Sequence, residues 1–101
     1  MKNMIQELQR GITRLEGNEV DVVISSNGFT TSSVYLNFQG STLFSESIEK
    51  KYILLMDSFG EQNLTLNFGM IRGVKLVDNN YNTMEIMMTD GSEISVYLSD
   101  K

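Results

Sequence analysis

Residues 84–98 read MEIMMTDGSEISVYL, two alternating apolar runs on either side of a turn. They carry the clearest structural signal in the sequence. A period of two predicts strands that each bury one face. A two-residue loop at residues 90–91 would place Ile86 opposite a serine and mix the two faces. A three-residue loop, Thr89-Asp90-Gly91, places Ile86 opposite Ile94 and matches a type I turn followed by a left-handed glycine. We therefore predict an antiparallel hairpin in this register.

The same alternation upstream predicts a second hairpin, beginning after Glu19. Its turn is Asn27-Gly28, a favoured hairpin sequence because both residues tolerate positive φ. The returning strand is expected from Thr30 to Phe38. Its predicted inward residues are Val34, Leu36 and Phe38.

The middle of the chain carries weaker signals. Residues 42–44 are compatible with a short strand, and Ser45 to Lys50 with a single helical turn. Residues 52–56 are apolar on both faces, which predicts a central, well-covered strand. Gly69 and Gly73 bracket a segment that we expect to form a bend or bulge.

Residues 1–16 are predicted to form a helix, because their apolar residues recur at intervals of three and four. Gly11 interrupts this pattern at a cost of about 1 kcal/mol relative to alanine, which points to a close packing contact. Gly17-Asn18 is the expected stop. The apolar stripe either packs on the chain's own sheet, the favoured interpretation, or pairs with another copy as a short coiled coil. The stripe consists of Met1, Ile5, Leu8, Ile12 and Leu15.

Together these patterns predict one α+β domain over residues 1–101, with a helix in 1–16 and antiparallel strands in 19–98. We expect about six or seven short strands in a strongly bent sheet or a small, partly open β-barrel. The chain has no cysteine and no apolar run near the roughly 20 residues of a membrane span, so we expect a cytoplasmic protein without a membrane partner.

Catalytic and metal sites are disfavoured by composition. Histidine and cysteine are both absent, which removes the commonest general base and the thiol nucleophile. Glu85 and Glu93 are expected as diagonal neighbours on an outward face without a pocket. Residues 78–82 match the start of a calcium loop but lack its later glycine and glutamate, so they predict a turn. We therefore predict no enzyme, no cofactor and no metal.

The charge distribution bears on the class of partner. The net charge is -5, and residues 52–101 hold seven acids and three bases. Such a balance opposes broad phosphate binding and fits either a basic partner or simple solubility. Arg72 and Lys75 near Tyr52 or Tyr81 are the candidates for a local nucleic-acid site, and they are too few for a convincing patch.

The outward face of the last hairpin is the predicted protein-binding site. A methionine and a tyrosine among acids are typical of an interface. The alternatives are that this face packs under the helix, or that it is an edge protected by charge. The predicted residues are Glu85, Met87, Glu93, Ser95 and Tyr97.

These observations predict a small, acidic, non-catalytic protein-binding module. Small, acidic, asparagine-rich domains are typical of phage and mobile-element accessory proteins. Such proteins often inhibit a basic, nucleic-acid-binding host enzyme, for example a nuclease defence system, by occupying its groove. The alternatives are a self-assembling structural or oligomeric protein, and a small-barrel nucleic-acid binder.

Overall fold

A computed structural model describes residues 4–44, 51–57, 61–77 and 82–99, in which a helix precedes antiparallel strands. This order confirms the predicted α+β class. No helix in the described ranges is long and apolar enough to cross a membrane. The elements are α1 Met4–Leu15, β1 Val20–Ser26, β2 Phe29–Tyr35, β3 Gln39–Phe44, β4 Lys51–Met56, β5 Asn63–Asn67, a 3-10 turn Phe68–Met70, β6 Ile71–Val77, β7 Thr83–Met88 and β8 Glu93–Leu98.

The eight described strands form two sheets instead of the expected single bent sheet or barrel. The first sheet has the order β2-β1-β8-β7-β6, and the second sheet has the order β3-β4-β5. The pairing among the described residues closes neither sheet into a barrel. The second sheet separates the β1–β2 hairpin from the β6–β7–β8 strands along the chain. The strand count exceeds the predicted six or seven because residues 39–44 form a full strand, whereas the sequence indicated at most a short strand at 42–44.

The register predicted for the last hairpin is confirmed. Ile86 lies opposite Ile94, and Met84 lies opposite Val96. Gly91 has a φ of 92°, the left-handed conformation that a three-residue loop of this kind requires. All four paired apolar residues are buried. The turn and the apolar alternation therefore agree on one register.

The first hairpin forms at the predicted turn. Ser26 pairs with Phe29 across Asn27-Gly28, and Gly28 has a φ of 84°. This register places Val20 opposite Tyr35, and both side chains are buried. The inward face of β2 therefore contains its odd-numbered residues.

The inward residues predicted for the returning strand are wrong at Val34 and Leu36, which are 47% and 45% exposed. Val34 lies opposite Asp21 and shares its outward face. Phe38 is fully buried, as predicted, but it lies beyond the end of β2. Asn37 has a φ of 53°, and this turn resets the alternation so that Phe38 points into the core.

The middle of the chain follows the prediction where the structure describes it. β4 is the central strand of the second sheet, and its Ile53 and Leu55 are buried. The pairing of β6 with β7 shifts between Ile71 and Gly73, which confirms the predicted bulge. The helical turn expected at Ser45 to Lys50 lies outside the described residues.

The apolar stripe of α1 packs into the chain's own core, as favoured. Gly17 ends the helix with a φ of 81°, and its N–H donates to the Phe38 carbonyl oxygen at 2.9 Å. The side chains of Met1 and Ile5 lie outside the described part. The buried core comprises Leu8, Ile12, Leu15, Val20, Val22, Tyr35, Phe38, Ile53, Leu55, Leu66, Ile71, Met84, Ile86, Ile94 and Val96.

Two glycines let α1 approach both sheets closely. A Cβ added at Gly11 would lie 2.5 Å from Met84 Sδ and 3.0 Å from a Leu76 methyl group of the first sheet. A Cβ added at Gly40 in β3 would lie 2.8 Å from Ile12 Cγ2. The predicted close contact at Gly11 is therefore confirmed. The helix contacts both sheets.

A buried carboxylate shapes the turn after β4. Asp57 is 4% exposed, and its Oδ1 accepts hydrogen bonds from the backbone N–H groups of Glu61 and Gln62 at 2.9 and 3.3 Å. Burial first, and the nearby charge of Asp57 second, raise the pKa of the Tyr35 phenol above its usual 10.0. This phenol is therefore held in its neutral form at the core.

We expect Gly11→Ala to destabilise the protein by about 1–3 kcal/mol, because the added methyl group overpacks the helix against Met84. This outcome opposes the gain of about 1 kcal/mol that alanine has in an open helix. Urea unfolding measures the difference. In a Met84→Val background, which lacks Sδ, the cost of Gly11→Ala should largely disappear. A more stable Gly11→Ala protein in the wild-type background would contradict the packing described here.

We also expect stability to fall as pH rises past 10.0, the unfolded pKa of Tyr35, because the unfolded chain then loses this proton before the folded one. Urea unfolding at alkaline pH measures the free energy of unfolding. Tyr35→Phe should show a smaller fall. Tyr97→Phe, at a half-buried position elsewhere, controls for loss of a hydroxyl. Parallel pH profiles for wild type and Tyr35→Phe would refute the assignment.

Candidate functional site

The first sheet has a buried inner side and an opposite side that we call the outer face. The inner residues of β1, β7 and β8 lie in the core, so their alternate residues point outward. The pairing register extends these outward positions across all five strands. The outer face comprises Thr30, Ser32 and Val34 of β2; Asp21, Val23 and Ser25 of β1; Glu93, Ser95 and Tyr97 of β8; Thr83, Glu85 and Met87 of β7; and Gly73, Lys75 and Val77 of β6.

All five residues predicted as a binding site lie together on this outer face. Glu85 pairs with Ser95, and Met87 pairs with Glu93, so the two carboxylates are the expected diagonal neighbours. Glu93 is exposed, and the other four residues are half-buried. Their role in binding stays a prediction, and the structure supplies its geometry.

The pairing of β1 with β8 adds residues that the sequence analysis did not include. Asp21 lies beside Tyr97, and Val23 lies beside Ser95. The Asp21 carboxylate accepts a hydrogen bond from the Ser99 hydroxyl at 3.2 Å. The alternation along β1 marks Asp21 as outward, but no local signal shows which strand adjoins it.

The outer face is acidic. It carries the carboxylates of Asp21, Glu85 and Glu93, one from each of three consecutive strands, against the single cation Lys75. Glu85 and Glu93 are diagonal neighbours, roughly 7–8 Å apart at the backbone. Asp21 lies four residues along β1 from Ser25, the partner of Glu93. Lys75 lies directly beside Glu85 in the register. The face therefore presents a net negative field to a partner.

The residues proposed for a nucleic-acid site are distributed over both sheets. Lys75 is on the outer face, and Arg72 is exposed at the bulge of β6. Tyr52 belongs to β4 of the second sheet and is half-buried. Tyr81 lies outside the described residues. The described part of this set thus gives no shared stacking surface on the outer face.

A concave feature adjoins the acidic residues. It is an open depression of about 510 Å³ at the end of the outer face where β7 begins and β8 ends. Asn82 fixes one wall, because its Oδ1 accepts a hydrogen bond from Arg14 and its carbonyl oxygen accepts one from the Leu98 N–H. The lining residues are Asn82, Thr83, Tyr97, Leu98 and Ser99.

The loop at the opposite end is held by hydrogen bonds. The Asp90 carboxylate accepts from the Ser92 N–H at 2.8 Å, and hydrogen bonds from Ser92 hold the pKa of this carboxyl below its usual range. The Ser92 hydroxyl also donates to the Ser26 hydroxyl of the first hairpin at 3.3 Å. The Ser92–Ser26 hydrogen bond connects the turn of the last hairpin to β1.

The described ranges contain no group of three or more acidic side chains placed to hold a metal ion. The turn predicted at residues 78–82 falls mostly outside those ranges, which resume at Asn82. A second depression, of about 540 Å³, lies on the polar side of α1. Its lining includes Arg10 and Arg14, so its charge is opposite to that of the outer face.

We expect Gly91→Ala to destabilise the hairpin by about 1–2 kcal/mol, because alanine is strained at positive φ. Space is not the cause, since a Cβ here meets no atom within 4 Å. Gly91→Asn should lose less, because asparagine tolerates the left-handed conformation. Urea unfolding measures both. Equal stability of the alanine variant and the wild type would show that the loop does not need this conformation.

Comparisons with known proteins assign no family to this chain. No protein-family model matches the sequence. No curated protein matches it, and no solved structure matches its fold. The function is therefore argued from the outer face itself.

Proposed function

We propose that this chain is a small, acidic, non-catalytic module that binds a basic surface of a partner protein through its outer face. The observation that carries the proposal is that Asp21, Glu85 and Glu93, from three adjacent strands, lie on the same side of the sheet. Helix α1 contacts this sheet through Leu76 and Met84 on the inner side. No described element is paired or packed over the opposite side.

The apolar residues between the carboxylates supply contact area. Met87 and Tyr97 are half-buried, so each keeps an accessible surface within the acidic field. Interfaces are enriched in methionine and tyrosine, and a polar rim commonly surrounds such groups. Charges of one sign increase the rate of association with an oppositely charged partner. The face therefore combines electrostatic attraction with groups suited to close packing.

The partner class that fits best is a nucleic-acid-binding enzyme with a basic groove. Such a groove binds regularly spaced phosphates through Lys and Arg. A rigid sheet that holds Glu85 and Glu93 as diagonal neighbours, roughly 7–8 Å apart at the backbone, offers an alternative anionic ligand. Within this proposal the chain is a cytoplasmic accessory protein of a phage or mobile element, and it inhibits a host enzyme such as a defence nuclease.

The test measures inhibition of a panel of purified nucleases that have basic nucleic-acid-binding grooves, at low and at moderate salt. The Glu85→Lys/Glu93→Lys variant reverses two charges of the outer face. The Glu16→Lys/Glu61→Lys variant changes the net charge equally at two exposed positions outside it. We expect the wild type and the Glu16→Lys/Glu61→Lys control to inhibit at least one nuclease, and moderate salt to weaken inhibition.

The Glu85→Lys/Glu93→Lys variant should inhibit that nuclease about tenfold less, which corresponds to about 1.4 kcal/mol. Equal inhibition by both double variants would show that the outer face is not the binding surface. Absence of inhibition across the panel would refute the enzyme-inhibitor part of the proposal. Retention of the wild type on labelled RNA at physiological salt would favour the nucleic-acid-binding alternative instead.

A further inference from the structure

The first sheet ends in β2, a strand with an open edge. β2 pairs with β1 on one side, and no described residue pairs with its other side. Alternate residues of an antiparallel strand point their N–H and C=O groups away from a given neighbour. The backbone hydrogen-bonding groups along the outer edge of β2 therefore have no partner strand among the described residues. Five of its seven residues are exposed, so the strand is also largely open on its faces.

The two edges of this sheet differ in protection. β6, at the opposite edge, carries a bulge, the cations Arg72 and Lys75, and contacts from α1. Charges, bulges and covering elements are the devices by which proteins prevent pairing at an edge. β2 reads FTTSSVY, without a charge or a proline, and its pairing with β1 has no register shift. Within the described ranges, β2 thus has no charge, no bulge and no helix contact of the kind that protects β6.

Exposed apolar groups are concentrated at this edge. The described residues include four large apolar side chains that are strongly exposed. Phe29 and Val34 lie in β2 and are 61% and 47% exposed, and Leu36 directly follows the strand. The fourth, Met70, precedes β6. An apolar cluster beside unpaired backbone is typical of an edge that receives another strand.

We propose that two copies of this chain associate by antiparallel pairing of β2 with β2. A two-fold interface requires a self-complementary surface, and an uncharged strand meets a second copy without like-charge repulsion. The register that pairs all seven residues places Ser32 opposite Ser32 at the two-fold axis. It also places Thr30 opposite Val34 and Phe29 opposite Tyr35. Residues paired in this way share a face, so the exposed Phe29 of one copy lies opposite the buried Tyr35 of the other on the core side.

This dimer is independent of the proposed inhibitory function. Pairing through the edge extends the first sheet from five strands to ten and leaves Glu85 and Glu93 on the outer face of each copy. The Glu85→Lys/Glu93→Lys variant should therefore dimerise as the wild type does. Failure of one proposal does not imply failure of the other.

Sedimentation equilibrium on the full chain tests the dimer. The wild type should reach a mass of twice 11.4 kDa at micromolar concentration. Ser32→Lys and Ser32→Glu each place like charges together at the axis. Charges about 4 Å apart in water repel by about 1 kcal/mol, so each variant should raise the dissociation constant by up to about fivefold at low salt. An equimolar mixture of the two should restore association, because opposite charges then face each other.

Thr65→Lys is the matched control, since Thr65 is an exposed residue of β5 at the edge of the second sheet. It should leave the dissociation constant unchanged. A wild type that stays monomeric at high micromolar concentration overturns the proposal. This holds even if β2 of that monomer binds a strand of a different protein. A dimer that both Ser32 variants preserve overturns it too, because the copies then meet through another surface.

Discussion

The pairing of β1 with β8 is the contact on which the rest of the structure depends. It runs from Val20 opposite Leu98 to Ser25 opposite Glu93 and joins strands from opposite ends of the chain. An isolated two-stranded hairpin is marginally stable in water. The long-range ladder converts the β1–β2 hairpin and the β6–β7–β8 strands into one sheet, at the entropic cost of closing a long loop. It thereby creates both the inner side that covers the core and the acidic outer face.

Helix α1 is stabilised by its packing against both sheets. A helix of this length is marginal in isolation, so its free energy of formation comes from packing. Gly11 has no side chain to separate the helix from Met84 of the first sheet. Gly40, in the second sheet, likewise leaves room for Ile12 of the helix. Glycine lowers the intrinsic stability of the helix, but the closer contacts between the surrounding apolar groups offset this loss.

The first sheet offers two surfaces with different chemistry. The outer face is charged, so identical faces repel each other and a basic partner is favoured. The edge of β2 is uncharged and is compatible with its own copy. A dimer through β2 would bring two acidic faces onto the same side of a continuous sheet. A single basic groove, or two related grooves, would then contact twice as many carboxylates. The dimer would bind with avidity if both of its outer faces were bound at the same time.

The strand pairings between segments that are close along the chain could be predicted from the sequence. Turn chemistry and alternation set the register around Gly91 and placed Glu85 and Glu93 on one face. The error at Val34 arose from treating β2 alone, since the two-residue turn at Asn27-Gly28 already places Val34 opposite Asp21. The tertiary structure was needed to show that β1 adjoins β8, that the described strands divide into two sheets, and that no described strand pairs with the outer edge of β2. Local turn geometry restricts neighbouring segments, whereas pairing between distant strands depends on the burial of the whole core.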